Sequence, residues 1–368
     1  MGGSFVGNVI DYFSINKDRI EYFDIAKGIG IILVVWFHCN GPFASYFNQF
    51  IMPLFFLISG LLYNQRSSVK DYIIRKIHNL YLPFVIWNLL FLVITVIFED
   101  YTIGLFFKKT ILIIFTLDKV GLFLGATWFI SALFLITVLY KIVESSFKES
   151  DYKDIVLLFI FSILAIIGYK FNFPYALSRV LILGFFYAVG AFIKKHKQTI
   201  SNKISDKFTY YLFPILGGII FIFIAYFNVV DLGINVEIKY PLLFVVGALC
   251  ASYFIIYLSK WMENSGNKIV SVVKKLFIVS GQHSIDILIW HFVFFKIVII
   301  VQMIMNNEKI TYSNIMHHYP IFSSFNGWWI IYLLVGIFFT FNLGLYSTKR
   351  SFGSNAKENT CYKLVYLT

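Results

Sequence analysis

The stretch DIAKGIGIILVVWFH, from Asp24 to His38, opens with charged side chains, continues with apolar ones and ends on a histidine. Read as a helix, it places Lys27 and His38 eleven residues apart. That separation is almost three full turns, so both side chains share one face, about 16 Å apart along the axis, with Asp24 within about 40° of it. If the helix begins at the cytoplasmic surface, we expect His38 about halfway through a hydrocarbon core of about 30 Å. An ionisable side chain at that depth should face other helices and predicts a functional site.

The composition of the whole chain agrees with a membrane environment. Of its 368 residues, 59% are hydrophobic and only 14% are charged, whereas an average soluble domain has about 25% charged residues. A single soluble core could not enclose this much apolar side chain, but lipid can solvate it. We therefore predict an all-α polytopic membrane protein, for which membrane lipids are the first partner.

Ten apolar segments follow one another along the chain, at about 25–45, 50–64, 80–98, 121–142, 154–171, 176–193, 209–228, 240–259, 277–304 and 327–346. The loops after the second, fourth, sixth and eighth segments are basic, as are both termini. This alternation predicts about ten transmembrane helices with the N and C termini in the cytoplasm. It also accounts for the net charge of +12, which in a soluble protein would suggest nucleic acid but here predicts no nucleic-acid partner.

The same pattern divides the chain into three parts. We expect a cytoplasmic lead over residues 1–24, one transmembrane domain over 25–346 and a cytoplasmic tail over 347–368. Residues 99–120 mix lysines with apolar side chains and predict an external loop with an interfacial helix. Because residues 1–20 are polar and lack an apolar core, we expect no cleaved signal peptide.

His38 is the first candidate catalytic residue. A neutral imidazole can accept the proton of a hydroxyl as that hydroxyl attacks a carbonyl group. The alternative is a histidine that only hydrogen-bonds between helices. Lys27 and Asp24, three residues apart near the cytoplasmic end, are either functional or a snorkelling lysine paired with an acidic residue at a helix start.

Arg75 and Lys76 stand directly before the third segment, with Arg66 and Lys70 upstream. As part of a basic loop, they can simply set topology. Their clustering also suits a cytoplasmic anion site for phosphates.

Two further segments supply candidate pocket residues. Trp128 and Ser131 lie at the external start of the fourth segment, where an aromatic belt is the alternative explanation for the tryptophan. The ninth segment carries His283, Ser284, Asp286 and His291. Three ionisable groups in one apolar helix are more than packing needs, which favours an inward-facing polar function.

The three cysteines of the chain, Cys39, Cys250 and Cys361, show no paired spacing. They predict neither a disulfide framework nor a zinc site. We expect no metal site and no bound cofactor.

Taken in order, these motifs resemble the acyltransferase-3 family of membrane acyltransferases. The opening helix of that family carries an Arg or Lys, ten residues and then a His, which Lys27 and His38 match in spacing. Further resemblances are Met52-Pro-Leu-Phe-Phe-Leu-Ile-Ser-Gly60, Arg75-Lys76 before Leu80 and Pro83, Trp128-Phe-Ile-Ser-Ala-Leu-Phe134, and Gly281-Gln-His-Ser284 followed by His291. One departure is His78-Asn79, where relatives often have a further Arg that helps to hold the donor phosphates.

The resemblance implies transfer of an acyl group, most often acetyl, from cytoplasmic acyl-CoA as co-substrate to a hydroxyl of a cell-surface or lipid-linked glycan. It implies that Arg75 and Lys76 bind the donor and that His38 acts as the base, with Lys27 guiding the donor or tuning the base. Transfer can be direct or pass through an acyl-histidine. The residue usage, rich in Phe, Ile, Lys and Asn, adds the expectation of a bacterial plasma-membrane protein.

A glycan transporter or flippase is the main rival interpretation, because proton-coupled transport also uses intramembrane His and Asp. A transporter needs no site for the phosphates of CoA, so the basic residues near Arg75 discriminate between the two. A membrane scaffold that has lost its chemistry is a second rival, against which the intact His38 argues.

Overall fold

A computed structural model describes residues 20–98, 102–117, 124–171, 173–174, 177–203, 207–233 and 236–338. Most of the predicted lead over 1–24, the end of the tenth segment at 339–346 and the predicted tail over 347–368 lie outside these residues.

Within the described residues the chain is almost entirely helical. Its helices are α1 (Glu21–His38), α2 (Ala44–Phe47), α3 (Ile51–Leu61), α4 (Val69–Lys76), α5 (Leu82–Phe98), α6 (Ile103–Ile111), α7 (Trp128–Ser146), α8 (Lys153–Lys170), α9 (Leu177–Lys203), α10 (Lys207–Phe227), α11 (Pro241–Asn264), α12 (Lys268–Gln282), α13 (Ser284–Met305), α14 (Tyr312–His317) and α15 (328–338). Turns of π-helix occupy Ile77–Tyr81 and Leu112–Thr116, and 3₁₀ turns occupy Gly125–Thr127 and Phe325–Gly327. A hairpin of two short antiparallel strands, β1 (Val230–Asp231) and β2 (Glu237–Ile238), joins α10 to α11.

Six helices of the described chain are long and apolar enough to cross a membrane: Ala44–Leu61, Val69–Phe98, Gly125–Ser146, Leu177–His196, Pro241–Asn264 and Ser284–Met305. Two shorter apolar helices cover Leu212–Phe227 and Phe325–Phe338. The protein is therefore an all-α, multi-pass membrane protein, as predicted. The count of about ten spans and the sides of the termini stay predictions.

The first helix ends earlier than the sequence suggested. We predicted a span over 25–45, but α1 stops at His38 and the chain turns at Asn40, which has a left-handed backbone with φ of 53°. His38 is thus the last residue of its own helix and not the midpoint of a longer one. Its burial comes from the helices that surround this end.

Two other boundary predictions are wrong. The residues before the third segment are not a loop, because α4 carries Arg75 and Lys76 and continues through the π-helical turn Ile77–Tyr81 into α5. The predicted helix over 277–304 is broken at His283, which separates α12 from α13. The Asn267 side chain caps the start of α12 by accepting hydrogen bonds from the backbone N–H groups of Ile269 and Val270. No side chain caps the start of α13 in this way.

Helix α1 lies at the centre of the molecule and packs closely against α12. Both helices use glycine at the contact: a methyl group on Gly28 would overlap the Phe277 carbonyl oxygen, and one on Gly281 would overlap the Asp24 carbonyl oxygen. Small residues let helix backbones approach in this way, as is common between membrane helices. The contact holds the charged end of α1 against the end of α12, while its His38 end meets α13.

Candidate active site

A basic cavity of about 360 Å³ opens between α1, α3, α4, α7 and α13. The cationic side chains in its lining are Lys27, Arg75 and Lys76. Ser284, at the start of α13, also lines it, together with the polar side chains of Asn64, Asn79 and Thr137. The structure therefore brings four of the predicted site residues into one cavity whose charge suits an anion.

Lys27 is held at the edge of this cavity by an ion pair with Asp24. Its Nζ lies 2.8 Å from Asp24 Oδ1, and the two side chains are 14% and 5% exposed. The Gln282 amide donates a further hydrogen bond of 3.5 Å to Asp24 Oδ2. Asp24 thus orients the lysine, and it is itself held by the glycine contact between α1 and α12.

Arg75 and Lys76 are adjacent residues in the last turn of α4. The Arg75 guanidinium donates a hydrogen bond to Ser67 Oγ, and Lys76 Nζ lies 5.4 Å from the centre of the Tyr72 ring. Helix α4 places both cations at the wall, while the π-helical turn that follows contributes Asn79 and Leu80.

A network of buried charges supports the cavity wall formed by Tyr63. The Tyr63 hydroxyl donates to Glu144 Oε2 at 3.0 Å, and the same carboxylate accepts from Lys153 at 2.7 Å and from Lys141 at 3.3 Å. Lys141 also donates to the Gln65 carbonyl oxygen at 3.0 Å. Burial raises the pKa of the Tyr63 phenol, and the Glu144 carboxylate raises it further, so the hydroxyl stays protonated as a donor.

A second cavity, of about 40 Å³, adjoins the first. Its lining contains the polar side chains of His38 and Asn48, the ring of Trp128 and several apolar side chains. Met52, Phe129 and Leu288 line both cavities. These three residues, which we call the constriction, therefore stand between the basic cavity and His38.

His38 contacts a second histidine that lies 253 positions later in the chain. Its Nδ1 is 3.0 Å from His291 Nε2, and the two rings are tilted by only 12°. His291 is fully buried, and its Nδ1 lies 2.8 Å from the Ile287 carbonyl oxygen. His291 lies seven residues after Ser284 in α13. The histidine pair is therefore about 10 Å from Ser284 along the axis of that helix.

Five predicted site residues line neither cavity. Asp24 and His291 contact the lining residues Lys27 and His38, whereas Ser131, His283 and Asp286 do not take part in the site. Ser131 is buried, and its hydroxyl donates to the Trp128 carbonyl oxygen at 2.9 Å, as serine commonly does within helices. His283 Nδ1 pairs with Asp286 Oδ2 at 3.0 Å across the break between α12 and α13. These two residues stabilise the break and do not reach the cavities.

Other lining residues were not predicted. Asn48 reaches the small cavity from the turn after α2, where its amide donates to the Val230 carbonyl oxygen of β1 at 2.8 Å. The face of Trp128 carries the Arg179 guanidinium, 5.0 Å from the ring. Tyr63 and the constriction were not predicted to line a site, although Met52 and Phe129 stand in motifs that resemble the family, because one aromatic or apolar side chain is not distinctive in an apolar sequence.

The arrangement can combine two chemical tasks. The basic cavity can bind a phosphate-bearing molecule, because three cations converge on it. The small cavity presents an imidazole that can take up a proton beside it. A molecule that occupies both cavities has to pass Met52, Phe129 and Leu288, which line both.

One of three comparisons with known proteins found a match. Searches of curated proteins and of solved structures gave no significant match. The sequence profile of an acyltransferase domain, that of the acyltransferase-3 family, matches residues 20–346. This match covers most of the chain and includes every residue of both cavities. The chain therefore belongs to the acyltransferase-3 family of membrane acyltransferases.

Proposed function

We propose that this membrane acyltransferase moves an acetyl group from cytoplasmic acetyl-CoA to a hydroxyl of a cell-surface or lipid-linked glycan, with His38 as general base. The observation that carries the proposal is the junction of the two cavities. Three cations line the larger one, His38 lines the smaller one, and Met52, Phe129 and Leu288 belong to both.

The donor is proposed to occupy the basic cavity. CoA carries several phosphate charges, which cannot enter hydrocarbon without partners. Arg75, Lys76 and Lys27 supply such partners at the wall. The uncharged pantetheine arm then passes the constriction, so that the thioester reaches the small cavity while the phosphates remain with the cations.

The size of the small cavity favours acetyl over longer acyl groups. A single water needs about 10–15 Å³, so the 40 Å³ beside His38 hold a group of only a few heavy atoms. A sugar ring does not fit there. The acceptor is therefore proposed to remain outside and to present one hydroxyl to His38.

The proposed reaction is a direct transfer. His38 takes the hydroxyl proton as the hydroxyl oxygen bonds to the thioester carbonyl carbon. The carbon–sulfur bond then breaks, and the CoA thiolate receives the proton from the His38 imidazolium. The products are an ester and free CoA, and His38 returns to its neutral state.

The charge distribution along the chain supports a cytoplasmic donor and an acceptor on the other side of the membrane. Basic residues near the membrane favour the cytoplasm, and Arg75 and Lys76, which line the basic cavity, belong to the basic stretch that begins at Arg66. CoA thioesters are cytoplasmic, and a plasma membrane of bacterial type would give the other face access to exported glycans. The glycan itself is proposed on the family resemblance.

The experiment is acetyl transfer by the purified protein in lipid, with radiolabelled acetyl-CoA and a panel of glycan acceptors. We expect transfer by the wild type and a loss of about 10²- to 10⁴-fold for His38→Ala. His317→Ala is the matched control, because His317 is an exposed histidine remote from both cavities.

Full activity in His38→Ala would contradict the assignment of the base. Movement of an unmodified glycan across the vesicle membrane, without release of CoA, would instead support the rival transport function. Mass spectrometry of cell-surface glycans with and without the protein would identify the acceptor and its modified hydroxyl.

A further inference from the structure

His291 makes the contact that decides how the His38 ring can act. It is fully buried in α13, although histidine is costly to place in a membrane interior. Its two ring nitrogens face different partners: Nδ1 lies 2.8 Å from the Ile287 carbonyl oxygen, and Nε2 lies 3.0 Å from His38 Nδ1. The contacts at these two nitrogens together fix the orientation of the His291 ring.

The hydrogen-bond chemistry of these partners assigns the protons. A carbonyl oxygen can only accept, so the hydrogen bond requires that His291 Nδ1 carry a proton and donate it. A neutral imidazole with a proton on Nδ1 has its lone pair on Nε2. His291 Nε2 is then an acceptor, and the hydrogen bond between the two rings requires that His38 Nδ1 be the donor.

We propose that His291 is a positioning residue that holds His38 in the tautomer with the proton on Nδ1 and the lone pair on Nε2. This inference rests on the proposed function, in which His38 Nε2 takes the proton of the acceptor hydroxyl. When it does so, the resulting imidazolium donates a charge-assisted hydrogen bond from Nδ1 to His291 Nε2, which is stronger than the neutral one. His291 therefore stabilises the charge that forms during the reaction, without touching the substrate.

The geometry of the surrounding residues supports this role. His38 ends α1 and His291 lies within α13, and Phe292 packs against both rings, with ring centres 4.6 Å from His38 and 4.2 Å from His291. Phe295 lies at 5.6 Å from the His291 ring, close to perpendicular. These contacts restrict rotation of both imidazoles, so that the pair keeps one relative orientation.

The first test examines the resting protein by ¹⁵N NMR with labelled histidine in lipid, because ring-nitrogen shifts report the tautomer directly. The His38 signals are assigned by their loss in His38→Ala. In the wild type at neutral pH we expect a protonated Nδ1 and an unprotonated Nε2 on His38. In His291→Ala we expect a mixture of tautomers. A wild-type His38 with its proton on Nε2 would overturn the proposal, whether or not the protein transfers acetyl groups.

The second test is kinetic and compares His291→Ala with His291→Gln. We expect His291→Ala to lower kcat about 10²-fold with the KM for acetyl-CoA unchanged, and to shift the acidic limb of the pH profile of kcat/KM. His291→Gln should recover at least tenfold of this loss, because its amide oxygen can accept the hydrogen bond. Wild-type kcat in His291→Ala, or equal loss in both variants with an unshifted pH profile, would overturn the proposal.

The failure of the proposed function would look different. In that case the wild type would transfer no acyl group to any acceptor, or His38→Ala would keep full activity. The NMR experiment would still decide the tautomer of His38, because it does not depend on acyl transfer. His317→Gln serves as the histidine control in both tests, since His317 is exposed and lies outside the site.

Discussion

Arg75 and Lys76 share one turn of α4 and line the same cavity, together with Lys27. If they bind the phosphates of CoA, each should lower the KM of the donor without affecting the chemical step. We predict that Arg75→Ala and Lys76→Ala each raise the KM for acetyl-CoA about tenfold, because a hydrogen bond to a charged group contributes about 1.5–3 kcal/mol. The effect should shrink at high salt, which screens charges.

The matched control is Lys70→Ala, which removes an exposed lysine from the same helix outside the cavity. Acetyl-pantetheine, which lacks the nucleotide phosphates, provides the second control. With this donor the Arg75 and Lys76 variants should equal the wild type. An equal loss with both donors would mean that these cations do not act on the nucleotide phosphates.

Charged side chains of the candidate cavities could be singled out from the sequence, whereas the apolar side chains of their linings could not be recognised as site residues. Lys27, His38, Arg75 and Lys76 stand out because charge is rare in an apolar chain, and the structure brings them to two adjoining cavities. The pairing of His38 with His291 could not be predicted, because it depends on how α1 and α13 pack. Phe129 stands in a motif that resembles the family, but neither it nor Leu288 could be recognised as a lining residue, since the chain is 59% hydrophobic.

At the scale of helices, the buried network around Glu144 connects α7, α8 and the turn that carries Tyr63. Removing its carboxylate would leave Lys141 and Lys153, each 3% exposed, as buried charges without this partner. We predict that Glu144→Leu destabilises the protein by about 3–5 kcal/mol. Tyr63→Phe, which removes one hydrogen bond, should cost about 1 kcal/mol.

Unfolding in detergent, followed by circular dichroism, would measure both changes. Glu149→Gln is the control, because Glu149 also pairs with Lys153 at 2.8 Å but its side chain is 64% exposed. Surface ion pairs contribute little, so we expect almost no change in this variant. A Glu144→Leu protein as stable as the wild type would show that the network does not hold the helices together.

The glycine contact between α1 and α12 is the second feature at this scale. A side chain at Gly28 would meet the backbone of Phe277, which cannot move as a flexible side chain can. We predict that Gly28→Ala separates the helices and destabilises the protein by about 1–3 kcal/mol. Because this contact lies beside Asp24 and Lys27, the KM for acetyl-CoA should rise as well.

Gly104→Ala provides the comparison, since no atom lies within 4 Å of the added methyl group. In helix α6 this change should be neutral or slightly stabilising, because alanine favours the helix more than glycine does. Thermal unfolding of the two variants side by side separates a packing effect from a general effect of glycine replacement. Equal stability in both would contradict a tight contact at Gly28.

The sequence located the helices but not their irregular points. Hydropathy indicates apolar segments, whereas the break at His283 lies inside a segment predicted to be continuous, and the π-helical turn at Ile77–Tyr81 lies across the predicted boundary between a basic loop and the third segment. Both points occur beside the basic cavity, where Ser284 and Asn79 enter its lining. Both irregular points thus occur where helices pack around a cavity, and hydropathy carries no information on such packing.

At the scale of the whole molecule, the site consists of two cavities of very different size joined at Met52, Phe129 and Leu288. If the acyl group occupies the smaller one, the constriction and the 40 Å³ beyond it limit the length of that group. We predict that Phe129→Ala improves butyryl-CoA as a donor relative to acetyl-CoA by about tenfold, because removal of the ring opens space for two more methylenes, each contributing about 0.8 kcal/mol when buried.

The measurement is the ratio of kcat/KM for the two donors in one preparation. This ratio does not depend on the folded fraction, which matters because a Phe-to-Ala change in a core costs about 3–5 kcal/mol of stability. Phe213→Ala, on a side chain that is 52% exposed, should leave the ratio at its wild-type value. If Phe129→Ala lowers activity with both donors but keeps their ratio, the acyl group does not pass this ring. The small cavity would then have to hold the acceptor hydroxyl alone, and selection of the acyl group would belong to the basic cavity.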